Sequence, residues 1–71
     1  MYIIEFEKGV YHIEGKGDPA RTLVLSNAKS FSDKQIAEFK LRNIIKTLKG
    51  FRAFENAKVR WRDEVSMKLT N

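Results

Sequence analysis

Polar and apolar positions alternate near both ends of the chain and follow a helical period in between. Tyr2, Ile4 and Phe6 alternate with Ile3, Glu5 and Glu7, and after Lys8-Gly9 the pattern resumes as Val10, Tyr11, His12, Ile13. Successive strand side chains point to opposite faces of a sheet, so this pattern predicts a hairpin. With Lys8-Gly9 as a two-residue turn, Phe6 faces Tyr11, Ile4 faces Ile13 and Tyr2 faces Gly15 on the core side. On the outer side Glu5 sits across from His12, a pairing that favours the protonated imidazole. Gly15-Lys16-Gly17-Asp18-Pro19 is turn chemistry, and residues 21–26 follow as a third strand with Leu23 and Leu25 inward.

The middle segment changes period. Ser32 and Gln35 have the spacing of a capping box, and Phe31 and Ile36 stand where a hydrophobic staple places its pair. Ile36, Ala37, Leu41, Ile44, Ile45 and Leu48 then fall on one side of a helical wheel, a core-facing stripe. Lys49 and Gly50 supply a cationic last turn and a C-terminal stop. The predicted helix is residues 33–49, and Phe51 and Phe54 beyond it are read as core closure.

From residue 57 the chain alternates again. Ala57, Val59, Trp61, Val65, Met67 and Leu69 occupy odd positions, and Lys58, Arg60, Arg62 and Lys68 are among the even ones. A single strand this long would place Asp63 on the apolar face. A hairpin with Arg62-Asp63-Glu64 as its loop removes that conflict, pairs Trp61 with Val65 and makes Trp61 a core residue. Ala57, Trp61, Val65 and Leu69 also fit a helical stripe, but that reading leaves Val59 and Met67 unplaced, so strand is preferred. The predicted fold is α+β: a small antiparallel sheet made of the N-terminal hairpin, a third strand and a C-terminal strand or hairpin, packed on one α-helix. The order is β-β-β-α-β, with a further strand if the tail is a hairpin.

A chain of 71 residues has room for one domain, and its 42% hydrophobic and 32% charged residues are those of a folding globule rather than a disordered segment. The absence of cysteine removes disulfides and thiolate metal sites. That absence fits a reducing compartment, with the cytoplasm expected; the start of the chain has no basic segment followed by an apolar one and no run approaches a membrane span, so a soluble, unprocessed chain is expected. Net charge is +5, and it is unevenly placed: residues 1–28 carry −1 and residues 29–71 carry +6. That asymmetry points to a polyanionic or acidic partner on the C-terminal side.

Catalytic and metal-binding machinery is absent from the pattern. His12 is the single histidine, no carboxylate cluster has ligand spacing, and no serine or threonine stands in a nucleophile motif. The expectation is a non-enzymatic chain with no metal and no cofactor. Gly15-Lys16-Gly17-Asp18 lacks the spacing and the Lys-Ser/Thr pair of a phosphate loop, and it precedes a strand, so it reads as a turn. Two sets of residues remain as binding candidates. Lys58, Arg60, Arg62 and Lys68 would line one face of the tail, and a two-stranded ribbon with such a face fits a DNA major groove. Phe39 lies off the apolar stripe of the helix beside Gln35, Arg42, Asn43 and Lys46, where an aromatic ring can stack on a base or anchor a protein, unless Phe51, Phe54 or the C-terminal segment covers it.

Met1-Tyr2-Ile3-Ile4, Gly9-Val10-Tyr11, Asn27-Ala28-Lys29-Ser30-Phe31 and Asn56-Ala57-Lys58-Val59 resemble segments of short, mostly uncharacterised bacteriophage-type proteins. Such proteins include DNA-binding regulators and inhibitors of host enzymes, so the resemblance implies a binding role without transferring a site. The order of three strands and a helix also looks like the arm-binding domain of some phage-type integrases, which insert a sheet in the major groove. The expected function is therefore a small basic binding module for DNA or RNA, with Lys58, Arg60, Arg62 and Lys68 as the main contacts and Phe39, Arg42 and Lys46 as a second patch. The alternative is a small inhibitor or adaptor that blocks an acidic surface of a host protein. A homodimer formed by edge pairing of the tail is a third possibility.

Overall fold

The computed structural model describes residues 1–15, 20–47 and 56–69, with the backbone alone for Thr47, Lys68 and Leu69. In chain order the elements are β1 (Tyr2–Glu7), β2 (Val10–His12), β3 (Arg21–Thr22), α1 (Lys34–Thr47), β4 (Lys58–Trp61) and α2 (Arg62–Leu69). A short 3-10 turn at Leu25–Asn27 precedes α1. The strands form one antiparallel sheet in the order β3-β2-β1-β4. This is the α+β arrangement expected from the pattern, with α2 in place of a last strand. The turn at residues 16–19, Leu48, the Lys49-Gly50 stop, and Phe51 and Phe54 lie outside the described residues.

The first hairpin turns where expected but pairs differently. Gly9 has φ +83°, the left-handed region that glycine enters without steric cost, and Glu7 pairs with Val10 across Lys8-Gly9. A β-bulge between Glu5 and Glu7 then shifts the register, so Tyr11 pairs with Glu5 and not with Phe6. A one-residue shift sends a side chain to the opposite face. Tyr11 thus joins Ile3 on one side of the sheet, while Phe6 and Ile4 stay on the other. Tyr2 does not face Gly15; it exchanges two 2.7 Å backbone hydrogen bonds with Phe31 in the segment leading to α1.

Both faces of the sheet are covered. Against one face α1 packs Ala37 and Leu41 onto Ile4, Phe6 and Phe31, with Val59 and Ile44 at the margin. On the other, Val65 of α2 and Ala28 after the 3-10 turn close over Ile3 and Tyr11, with Leu25 against them. The third strand is only two residues long. Leu25 is drawn into the 3-10 turn, and Leu23 is exposed rather than inward.

Helix α1 starts one residue later than its capping pattern predicts. Asp33 caps it: its Oδ1 accepts the Gln35 N–H at 2.7 Å, and its backbone carbonyl accepts the Ala37 N–H at 3.1 Å. A carboxylate also suits the positive end of the helix, which favours it over the Ser32 hydroxyl. Ile36 is exposed, so it forms no staple with buried Phe31, and Ile45 is also largely solvent-facing. The tail departs further. Its alternation holds through Trp61 and then gives way to α2, whose first turn carries Asp63 and Glu64, so the Arg62-Asp63-Glu64 loop and the Trp61–Val65 pairing do not form. Acidic residues are stabilised at a helix N-terminus, which accounts for Asp63 better than a loop does.

His12 lies on the α1 face and not across from Glu5. It is buried, with its ring 6.2 Å from Phe31 in a stack and 6.1 Å from Phe6 edge-on. Neither ring nitrogen has a hydrogen-bond partner among the described residues. Burial pushes its pKa below the usual 6.5 and Lys40 pushes the same way, outweighing the opposing pull of Glu14. The unfolded chain therefore takes up the proton first as pH falls, and stability present above about pH 6.5 declines below it, by up to about 1.4 kcal/mol per pH unit. Thermal unfolding between pH 7 and 5 should show this fall, and His12→Phe should flatten it. An unchanged slope in that variant would assign the acid sensitivity to other groups.

Candidate nucleic-acid interface

The tail residues do not assemble into a basic ribbon. β4 pairs Glu5 with Lys58 and Ile3 with Arg60, which sets both basic residues on the face shared with Ile3, Tyr11 and Val65. Arg60 is consumed there. Its Nη1 donates to Glu5 Oε1 at 3.1 Å and its Nη2 to Glu64 Oε1 at 3.4 Å, and its side chain is only 17% exposed. Arg62 begins α2, where its backbone N–H donates to the Met1 carbonyl at 2.9 Å; the residue is half-buried. Lys68 falls within α2 and its side chain is outside the described residues. Lys58 is the one exposed cation of β4. Trp61 is more exposed than a core residue and rests edge-on against Tyr2, with ring centroids 4.8 Å apart.

Where α2 ends its cover, the sheet leaves an open groove of ≈ 850 Å³ lined by Glu5, Glu7, Lys8, Tyr11, Lys58 and Arg60, among others. Two acids of β1, Glu5 and Glu7, stand against three cations of the turn and β4, Lys8, Lys58 and Arg60, and the Glu5–Arg60 pair leaves the groove with only a small net positive charge. Desolvation of Tyr11, reinforced by Glu5, raises its phenol pKa against the pull of Arg60, which keeps the hydroxyl protonated. No group of three or more potential metal ligands occurs among the described residues.

The second candidate patch does assemble. Helix α1 spends Ala37, Leu41 and Ile44 on the sheet and turns Gln35, Phe39, Arg42, Asn43 and Lys46 outward, all exposed. Phe39 is 60% exposed, so the ring is not covered. One hydrophobic residue missing from the sequence-based candidates belongs with it, Ile36 one turn before Phe39, while Lys34 and Lys40 are exposed on opposite shoulders of the helix and flank the stripe that packs on the sheet. The helical spacing of Ile36 is the signal that could have found it. The wheel sets Ile36 in the core stripe because its side of the helix borders that stripe. The helix carries Lys34, Lys40, Arg42 and Lys46 against Glu38 alone.

Comparison with models of known protein families, with curated proteins and with solved structures finds no match for this chain. No helix among the described residues is long and apolar enough to cross a membrane.

Proposed function

We propose that this protein is a non-catalytic nucleic-acid-binding module that meets its partner with the outward face of α1. The observation that carries this reading is the exposure of Phe39 together with Arg42 and Lys46 on a helix whose other side packs Ala37, Leu41 and Ile44 on the sheet. Cations on a rigid helix attract phosphate at long range, and a half-exposed aromatic among them offers a contact to bases. The resemblance to bacteriophage-type proteins, which include DNA-binding regulators, agrees with this role. The tail contributes less than its pattern promises, because Arg60 is already neutralised.

Fluorescence anisotropy with labelled DNA and RNA across a salt series tests the proposal. Affinity should fall steeply with salt, and Arg42→Ala with Lys46→Ala should weaken binding and reduce the slope by roughly one for each of the two that neutralises a phosphate. Lys58→Ala should change little. Absence of binding to duplex and single-stranded DNA and RNA at low salt would refute it. A protein partner is the second reading, favoured by the adjacent exposure of Ile36 and Phe39. A complex recovered after nuclease treatment, insensitive to salt and abolished in Phe39→Ala, would support that reading instead.

A further inference from the structure

Building on the nucleic-acid reading, we infer that the partner is duplex DNA and that α1 enters its major groove as a recognition helix. The inference rests on how the outward side chains are arranged. Gln35, Phe39, Arg42 and Lys46 follow i, i+4, i+7 and i+11 spacing, which at 100° per residue confines them to about 60° of the helix circumference. They form one straight row about 16 Å long at 1.5 Å per residue, the axial rise of about five base pairs. Lys34 and Lys40, both exposed, lie on opposite shoulders of the helix, each more than about 100° around from the middle of the row and nearer the sheet.

A lone convex helix with this layout suits a groove about 12 Å wide better than it suits a single strand. Single-strand binders hold the backbone in a basic channel and stack successive bases on several aromatic rings. Here the row has one ring, and among the described residues no basic channel adjoins it; the groove on the far side of the sheet sets Glu5 and Glu7 among its cations. The row instead carries the chemistry that reads base edges. A guanidinium at Arg42 forms paired hydrogen bonds to guanine O6 and N7, an amide at Gln35 pairs with adenine N6 and N7, and the Phe39 ring meets a thymine methyl. Glu38 shares a shoulder with Lys34 and would face phosphate, so it weakens the complex.

The test measures the full chain against a random-core duplex, its separated single strands and an RNA hairpin, followed by selection of bound duplexes from the pool. Expected results are a duplex preference of about tenfold or more, interference by guanine N7 methylation, and weaker binding when uracil replaces thymine, which removes only the major-groove methyl. Arg42→Ala should cost about tenfold on the selected duplex, Phe39→Ala should abolish the thymine–uracil difference, and Glu38→Gln should tighten binding. The uracil and methylation measurements use the unaltered protein, so they stand even if a variant misfolds. Equal or tighter binding to single strands or RNA overturns the duplex inference and leaves the nucleic-acid reading intact. Duplex binding indifferent to N7 methylation and to uracil also overturns it. Failure to bind any of the three overturns both.

Discussion

Arg60→Ala is expected to destabilise the fold more than any other single change to a charged residue, lowering the unfolding midpoint by about 15 °C or abolishing cooperative unfolding. The cost comes from what is left behind. Glu5 is a carboxylate with its side chain only 9% exposed, and Arg60 is its ion-pair partner among the described residues. Removing one member of a buried pair strands the other charge in a poor solvent, at about 3–5 kcal/mol. A single core in a chain this short rarely supplies more than that in total. The pair itself is not what the fold needs, because desolvation offsets most of its attraction; Glu5→Leu combined with Arg60→Met should regain most of the loss. Glu64 meets Arg60 in an exposed ion pair, and Glu64→Ala should cost under about 1 kcal/mol. Thermal and urea unfolding of the four proteins, followed by circular dichroism, measure all of this. If Arg60→Ala stays within about 1 kcal/mol of the parent, the Glu5–Arg60 contact does not govern stability.

That pair also shows why the tail reads as a binding face in the sequence and not in the fold. Local spacing reveals which residues share a strand face, but it does not reveal which distant charge the fold brings against them, and Glu5 lies 55 residues from Arg60. The α1 patch is legible because helical periodicity is local: Phe39, Arg42 and Lys46 are exposed, as the wheel places them. The hairpin is legible in its turn and not in its pairing, since nothing in an alternating pattern marks the bulge that separates Phe6 from Tyr11. The tail fails for another reason. Positions 57, 61, 65 and 69 satisfy a strand period of 2 and a helical spacing of 4 alike, so the switch after Trp61 rests on the acids at Asp63 and Glu64. The Asp33 cap turns on a one-residue choice between two good capping side chains.

The covering of both sheet faces has the sharpest consequence at Ile3, which the alternating pattern assigns to the outer side. Ile3 is 0% exposed and packs with Tyr11, Ala28 and Val65. Ile3→Ala is therefore expected to cost about 2–5 kcal/mol, the range for truncating a buried aliphatic side chain where the surroundings cannot collapse. Ile36→Ala, on the exposed side of α1, should stay within about 0.5 kcal/mol. The loss at Ile3 should also be local in its first stage. α2 has eight residues, too few to persist alone, so it depends on Val65 seated over the sheet. Native-state hydrogen exchange should show the α2 amides losing protection in Ile3→Ala while α1, packed through Ala37 and Leu41 on the opposite face, keeps its own until global unfolding. Equal costs for Ile3→Ala and Ile36→Ala would mean that the second face is solvated and that the sheet is covered by α1 alone. A larger cost at Ile3 with α2 opening first would establish that the eight residues after β4 are a structural layer held by Val65 over the sheet.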